Sequence, residues 1–254
     1  MSTKQKKFKL PTQDDILEIL QYVVYVLPFP IIAFSLIVLT NGCNPSFLTM
    51  FIYFLLSAYH GCKLYIEMCS AVFSSEPIYK RIWLSHDLHV LILVFVANTS
   101  GLTSCLFFID VLIIEGENAI FVVREYLSNR LGDMKDSVVE LCDSIFFCEP
   151  LYKTAAFMEI LMIPYLFFNA LFRFEAHIWA SLVFYLAGYA AFQLLNSRYH
   201  DWAYGYMGKL LEDYSKKNES VNKFVSPILK YAKCIPKYAR VIYPVTEFTR
   251  IVKK

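Results

Sequence analysis

The residues of this sequence that are best suited to chemistry are acids and histidines placed inside apolar segments. Glu159 lies in the stretch AAFMEILMIPYLFFNALF (155–172), five residues before Pro164. Asp110 and His60 interrupt two further apolar segments. A titratable side chain at membrane depth is a candidate for proton transfer or substrate contact, because a charge is costly there. One hypothesis is therefore an enzyme or transporter that acts on lipid through Glu159, Asp110 and His60.

The same groups also have a structural interpretation. Pro164 has no N–H to donate to the carbonyl four residues before it, so a free acceptor and the Glu159 carboxyl lie within one helical turn. Neighbouring helices commonly satisfy such groups in membranes. Glu159 lies roughly 6–9 Å along the helix axis from the polar residues 152–154, which makes Lys153 a candidate partner. We interpret Glu159, Pro164 and Asp110 as contacts between membrane helices.

Two opposite charges lie four residues apart near the end of an apolar segment. Lys63 and Glu67 share a helix face at this spacing, so the sequence predicts an ion pair within one helix. Alternatively, this helix end is interfacial and both side chains extend towards the headgroups. In either case we interpret Lys63 and Glu67 as packing or partner contacts.

The cluster SHDLH (85–89) superficially resembles a metal-binding motif. On a helix His86 and His89 lie on one face, while Asp87 points elsewhere. Because no further histidine or cysteine stands at ligand spacing, we predict no metal site here. The pattern favours the N-terminus of a helix with Ser85 as its cap.

The other chemistry-bearing residues form no recognisable catalytic pattern. The seven cysteines are odd in number and scattered, mostly within apolar runs, so we interpret them as packing residues. The sequence contains no nucleophile elbow, HExxH motif, Gly-rich phosphate loop or paired acidic motif. We therefore predict a protein without catalytic, cofactor-binding or metal-binding residues.

The elements that position these residues are predicted from composition and hydropathy. Hydrophobic residues make up 57% of the 254 residues, the mean hydropathy is +0.45, and 18% are charged, against about 25% in soluble domains. This composition is typical of an integral membrane protein. We predict an all-α, polytopic fold with membrane hairpins. The regions long and apolar enough to enter a bilayer are 17–42 and 46–73, joined by the turn NGCNPS, then 88–114, and 155–195, interrupted by FRFEAH at 172–177.

The distribution of charge sets the expected orientation and the division of the chain. Basic residues cluster in the N-terminal arm, at Lys80 and Arg81, and from residue 196 onward, where 12 Lys or Arg stand against 5 Asp or Glu. The positive-inside rule places all three clusters in the cytosol, so both termini are cytosolic. The predicted units are a basic cytosolic arm (1–16), a first membrane hairpin (17–73), a loop with a second membrane region that is a hairpin or a single span (74–114), a cytosolic helical linker (115–154), a third membrane hairpin (155–195) and basic amphipathic C-terminal helices (196–254).

The strongest physical signal is a basic amphipathic pattern near the C-terminus. In VNKFVSPILKYAK (221–233) apolar residues recur on one helical face with lysines around it, and residues 237–254 repeat the pattern. Such helices lie in the membrane interface and favour anionic lipid. The alternative is that they pack on the protein's own cytosolic part, and no recognition motif indicates nucleic-acid binding. The residues predicted to hold the tail on the membrane are Phe224, Ile228, Leu229, Lys223, Lys230, Lys233, Lys237 and Arg240.

Several blocks of the sequence resemble one membrane-protein family. The block KTAAFMEILMIPYLFFNALF (153–172) is followed by LVFYLAGYAAFQLLNSRYHDWAYGYMGKLLEDY (182–214), and HVLILVFVANTSGLTSCLFFIDVLII (89–114) lies upstream. With the Glu-Ile pair and proline at 159–164 and the SRYH that ends the aromatic run, these blocks resemble the transmembrane protein 33 family. The resemblance is one of pattern, with few identical positions, and covers most of the chain after its first third.

The resemblance implies a protein of the endoplasmic reticulum membrane and nuclear envelope. Members of the family associate with reticulon-type shaping proteins, influence tubule and sheet architecture and contribute to nuclear pore distribution. The leading expectation is therefore a non-enzymatic protein that organises or shapes membrane. Its expected partners are the bilayer, anionic lipid at the tail, and reticulon-type or pore proteins. The alternative is an accessory scaffold subunit of a larger membrane complex of the endoplasmic reticulum that handles lipid or ions.

Overall fold

The computed structural model describes residues 12–44, 46–70, 77–101, 105–130, 132–146 and 148–217, together with 222, 223 and 226. Within these residues every regular element is a helix, which confirms the all-α prediction for this part of the chain. The α-helices there are α1 (Gln13–Val26), α2 (Pro28–Thr40), α3 (Phe47–Ser70), α4 (Ile78–Leu84), α5 (His86–Thr99), α6 (Cys105–Val122), α7 (Lys135–Phe146), α8 (Glu149–Arg173), α9 (Ala176–Phe184), α10 (Ala191–Asn196) and α11 (Arg198–Lys217). The other helical segments are π-helices at Val123–Leu127 and Tyr185–Ala190 and 3₁₀-helices at Ser128–Arg130 and Gly132–Met134.

A capping box, a proline and a turn set the bounds of the N-terminal helices. The Thr12 hydroxyl accepts from the Asp15 N–H while the Asp15 carboxylate accepts from the Thr12 N–H, so α1 begins with a capping box. Pro28 begins α2, where a missing N–H removes no helical hydrogen bond. The two helices together form one apolar stretch, Gln13–Thr40. Beyond it the chain turns through Gly42, whose φ of 74° is left-handed.

Helix α6 lies at the centre of the bundle. It packs against α2 and against α8, while α3 packs against α1, α2 and α5. Helix α8 also contacts α9 and α11. This packing holds α6, and with it Asp110 and Glu115, in the interior. The largest fully buried side chains between these helices are Tyr59, Tyr185, Tyr189, Phe107, Phe108, Ile31, Ile52, Leu56, Leu93, Met162 and Leu166.

One close helix approach depends on a glycine. Gly188, in the second π-helical segment, lies against Ile92 of α5, and a Cβ at position 188 would come within 3.1 Å of Ile92 Cγ2. Optimal separation between carbon atoms is about 3.5–4.0 Å. Helix α5 and this segment therefore pack as closely as they do because residue 188 has no side chain.

Three helical stretches of the described residues are long and apolar enough to cross a membrane: Gln13–Thr40, Phe47–Cys69 and Glu149–Arg173. Two bent helix pairs raise the number to five if each pair is one span. The pair Ile78–Leu84 and His86–Thr99 bends by 57°, and the pair Ala176–Leu194 and Arg198–Lys217 bends by 110°. The described part of the chain thus has the helices expected of a multi-pass membrane protein.

The predicted division of the chain can be compared with these helices. The turn predicted at NGCNPS lies between α2 and α3, and the interruption FRFEAH contains the break at residues 174 and 175 between α8 and α9. The predicted boundary at residue 115 falls inside α6, which continues to Val122. The predicted linker then contains one π-helical segment, the 3₁₀-helices and α7.

Most of the predicted membrane-surface tail lies outside the described residues. Lys223 is helical and exposed. The tail residues that lie outside the described ranges are Phe224, Ile228, Leu229, Lys230, Lys233, Lys237 and Arg240. Their contact with lipid stays a prediction.

Candidate functional site

The first of two buried polar clusters is built around His60 of α3. Its imidazole is fully buried, with Nδ1 2.7 Å from Asp87 Oδ1 and Nε2 2.9 Å from Glu115 Oε1. Lys63, one turn later on α3, places its Nζ 3.2 Å from Asp87 Oδ1. The Asn118 amide donates to the second oxygen of Glu115 at 3.2 Å. The cluster therefore links α3, α5 and α6 through hydrogen bonds between charged groups.

The charges of this cluster balance. An imidazole donates from both nitrogens only as an imidazolium, so the two carboxylates around His60 require a positive ring. Together with Lys63 this gives two cations against the carboxylates of Asp87 and Glu115. Asp87 also stands in the first turn of α5, where the helix dipole favours a negative charge. Buried charges are tolerated when each is paired and hydrogen-bonded, and these four meet that condition.

The structure corrects two expectations for this region. Lys63 was expected to pair with Glu67, but it pairs with Asp87 of another helix, and Glu67 accepts from the Ser85 hydroxyl at 2.6 Å. Ser85 stands at the N-cap of α5 as predicted, yet its side chain makes no cap hydrogen bond and lies against Glu67 instead. Asp87 contacts His60 and Lys63, on a different side from His89, which lies against Trp83 and Phe192. Contacts between different helices thus decide the partners of these side chains more than spacing along one helix does.

The second cluster is built around Glu159 of α8. Its carboxylate accepts hydrogen bonds from the Tyr189 hydroxyl, at 2.8 Å, and from Nε2 of His200. The Tyr185 hydroxyl donates to the Glu159 backbone carbonyl at 2.6 Å, one residue before the carbonyl that Pro164 leaves without its helical donor. Glu159 is only 4% exposed and His200 7%. Helix α8, the second π-helical segment and α11 therefore meet at this carboxylate.

Asp110 brings one more carboxyl group to the second cluster. It reaches Glu159 from α6 and is fully buried. Neither of its oxygens has a hydrogen-bond donor among the described residues, and Nδ1 of His200 has no partner there either. The second acid is accommodated here as a neutral carboxyl group, because two carboxylates in contact repel each other. This cluster is thus less completely paired than the first.

The partner of Glu159 also differs from the prediction. Lys153, the candidate from the sequence, lies 3.1 Å from Glu149 Oε1 and over the ring of Trp202, 5.1 Å from its centroid. Helix α8 begins ten residues before Glu159 and continues through Pro164. Lys153 therefore belongs to the outer end of α8, whereas Glu159 lies inside the bundle.

The two histidines of SHDLH have different surroundings. His89 is buried, with Nε2 2.9 Å from the Trp83 carbonyl oxygen and its ring stacked on Phe192 at 3.6 Å between centroids. His86 is exposed. Among the described residues, no three His, Cys, Asp or Glu side chains are grouped so that they could hold a metal ion.

Within the predicted linker, Arg124 joins the first π-helical segment to α7. Arg124 Nε donates to Asp143 Oδ1 of α7 at 2.6 Å, and Arg124 also contacts Glu125. The hydrogen bond that Arg124 donates to Asp143, followed by the one it donates to Glu125, raises the pKa of Arg124 above its ordinary value. The guanidinium is exposed, so this pair orients α7 more than it stabilises the fold.

Helix α11 presents a surface of a different kind. One face is buried against α8, where Ala203 contacts Ala156 and Ile160. At 100° per residue, an aromatic row and a charged row lie side by side on the rest of the helix, and they overlap where Asp213 falls between Trp202 and Tyr206. The aromatic row is Trp202, Tyr206, Leu210 and Tyr214, between 41% and 62% exposed. The exposed charged row includes Lys209, Asp213 and Lys216.

Sequence reasoning missed several members of these clusters. Glu115 was placed in a cytosolic linker, but its side chain is fully buried beside His60. His200 was noted only as part of SRYH, and Tyr185 and Tyr189 only as part of an aromatic run. Their spacing of four residues, on one helix face, is the one signal in the sequence that groups the two tyrosines.

Comparisons of this chain with protein-family models, with curated proteins and with solved structures find no match.

Proposed function

We propose that this chain is a non-enzymatic, multi-pass protein of the endoplasmic reticulum membrane and nuclear envelope that organises or shapes the bilayer. Helix α11 carries the proposal. It follows an apolar helix with a bend of 110°, one of its faces is buried against α8, and the rest of its surface exposes aromatic and charged side chains. Trp and Tyr favour the membrane–water interface, and amphipathic helices with basic residues lie in its plane.

The position of α11 along α8 supports an interfacial location. Helix α11 contacts α8 near Ala156 and Ile160, while Tyr199 stacks on Tyr152, with 5.3 Å between ring centroids. A helix with this many charged side chains is too costly to place in hydrocarbon. In this proposal, the part of α8 that contacts α11 therefore lies at the depth of the lipid headgroups. Amphipathic helices at this depth enlarge one leaflet relative to the other, which favours curvature.

The buried polar clusters connect helices inside the bundle, which supports the proposal. His60 faces Glu115, and Asp110 reaches Glu159, inside the bundle. The outward surface of the bundle carries large apolar side chains, among them Phe54, 65% exposed, and Val183, 62% exposed. Such a surface suits contact with lipid tails and with other membrane helices. Reticulon-type shaping proteins and pore proteins, which the sequence resemblance implies, are the proposed partners.

The direct test measures membrane shape with the full chain. Large vesicles of phosphatidylcholine with added phosphatidylserine are reconstituted with the purified protein and imaged by cryo-electron microscopy. We expect the wild-type protein to produce smaller or tubular vesicles. The double variant Trp202→Ala with Tyr206→Ala should produce fewer, because it removes interfacial anchors. It keeps Ala203 buried against α8 and removes the contacts of the two rings with Lys153 and Phe157 of that helix.

The matched control is Lys209→Ala with Asp213→Ala, which removes two exposed side chains of the same helix without changing the net charge. It is expected to shape vesicles like the wild type. Unchanged vesicle size with the wild-type protein would refute the proposal. Purification from mild detergent at fixed stoichiometry with other subunits, without any effect on vesicles, would instead favour the accessory-subunit alternative.

The predicted tail is tested in the same assay. The triple variant Phe224→Glu, Ile228→Glu and Leu229→Glu is used. It places three negative charges on the predicted apolar face. We expect this full-length variant to lose vesicle shaping that depends on phosphatidylserine. If the variant shapes vesicles as the wild type does, the tail packs elsewhere and α11 acts without it.

A further inference from the structure

Two cysteines that are far apart in the sequence meet at one end of the bundle. Cys43 lies in the turn after α2, and Cys105 is the first residue of α6. Their Sγ atoms are 2.7 Å apart. An S–S bond is about 2.05 Å long, so roughly 0.7 Å separates the two sulfurs from bonding distance. Both cysteines are free in this structure.

The backbone fixes Cys43 firmly in this place. The Cys43 N–H donates to the Val38 carbonyl at 2.9 Å, and the Gly42 N–H donates to the Leu39 carbonyl at 3.2 Å. These two hydrogen bonds form a Schellman motif, which ends α2 and turns the chain towards α3. Cys43 itself adopts a left-handed conformation with φ of 55°, which is uncommon for a residue other than glycine. Its thiol is therefore held towards Cys105 by the turn.

The two thiols differ in access to solvent. Cys105 is exposed, whereas Cys43 is 5% exposed. Burial, together with the neighbouring Cys105, raises the pKa of the Cys43 thiol to about 12. A thiol of this kind is a poor first nucleophile. Cys105 is the residue that an outside reagent reaches first.

We propose that Cys43 and Cys105 are a disulfide-forming pair that ties the α2–α3 turn to the first residue of α6. The oxidant is a disulfide, either oxidised glutathione or the oxidised form of a protein dithiol. The Cys105 thiolate attacks it, forms a mixed disulfide and releases one thiol. The Cys43 sulfur then attacks Cys105 Sγ, and its proton passes to the second leaving thiolate. The pair loses two electrons and two protons, which the oxidant takes up as two thiols.

The location of the pair suits this chemistry. With both termini cytosolic, one crossing precedes the turn at Cys43, so the pair faces the lumen, where disulfides persist. A bond here closes a long loop that contains α3, α4 and α5, and long loops gain most from closure. The oxidised protein is therefore expected to unfold at a higher temperature than the reduced protein.

The test uses the full chain in detergent, first reduced and then treated with oxidised glutathione. After treatment, thiols are alkylated with a maleimide reagent under denaturing conditions, and the protein is digested without reduction. We expect the number of alkylated thiols to fall by two and mass spectrometry to find a peptide that joins Cys43 to Cys105. Reduction should restore both thiols.

The variant Cys105→Ser should lose none of its thiols under the same oxidation, and it changes an exposed residue, so folding is preserved. Cys62→Ser, a partly buried cysteine on α3, is the matched control and should still lose two. Alkylation of both Cys43 and Cys105 after oxidation would overturn the proposal, as would a joined peptide that contains other cysteines in equal yield. This outcome is independent of whether the protein shapes membranes.

Discussion

The two buried clusters share a design but differ in their balance of charge. In each, an imidazole from one helix meets carboxylates from others: His60 faces Asp87 and Glu115, and His200 faces Glu159 with Asp110 beside it. The first cluster contains Lys63 as a second cation. The second has no such cation among the described residues, and Asp110 lacks a hydrogen-bond donor there.

The number of acids in a buried cluster therefore does not decide how strongly the cluster stabilises the packing of its helices. In the first cluster every charge depends on a partner, so removing one leaves another buried without compensation. In the second cluster Asp110 is a spare acid beside Glu159. The loss of the Glu115 carboxylate should therefore be costlier than the loss of the spare acid Asp110.

The largest expected effect comes from His60→Leu. This change leaves the carboxylates of Asp87 and Glu115 in the interior without the cation between them, and we expect a loss of about 3–5 kcal/mol in the free energy of unfolding. Denaturant unfolding in detergent, followed by circular dichroism, measures it. His177→Leu is the matched control, since His177 is exposed and paired only with Glu175 at the surface. A loss no greater than that of the control would show that the cluster is not held by charge.

A smaller effect is expected from Glu159→Gln. The amide still accepts from Tyr189, and one acid, Asp110, remains in the cluster, so the loss should be about 1.5–3 kcal/mol, as for a hydrogen bond to a charged group. The same unfolding assay applies, with Glu149→Gln at the exposed start of α8 as the control. If Glu159→Gln destabilises the protein as much as His60→Leu, Asp110 is not a spare acid and the contrast between the clusters fails.

The smallest effect is expected from Asp110→Asn. An amide can donate to Glu159 as the neutral carboxyl group does, so stability should stay within about 0.5 kcal/mol of the wild type. Glu115→Gln is the matched change on the same helix, and it should cost about 1.5–3 kcal/mol because it breaks the pair with His60. Equal losses for the two α6 variants would contradict the proposed difference in charge balance.

Parts of this structure could be predicted from sequence and parts could not. Hydropathy located the apolar helices, and the helix start at His86 followed from Ser85 as the predicted cap. The partners of the buried charges could not be found, because they are separated by 27 residues for His60 and Asp87 and by 41 for Glu159 and His200. Local rules consider neighbours within one or two helical turns, which is why Lys63 was assigned to Glu67, four residues away, and Glu159 to Lys153, six residues away.

The cysteines show the same limit. A scattered set without motif spacing was interpreted as packing residues, yet Cys43 and Cys105 lie in contact although they are 62 residues apart. Only the turn after α2 and the start of α6, brought to one end of the bundle, make them a pair. Sequence spacing identifies sites within an element, and here the polar and sulfur contacts join different elements.

The spacing of two acids on the central helix α6 restricts where the length of this chain can change. Asp110 and Glu115 are five residues apart on α6, which sets them about 140° apart around the helix and roughly 7.5 Å apart along it. One serves the cluster with Glu159 and the other the cluster with His60. A single residue inserted or deleted between them would turn one acid by about 100° relative to the other. The stretch 111–114 is therefore not expected to tolerate changes of length, and lineages of this protein should vary in length elsewhere.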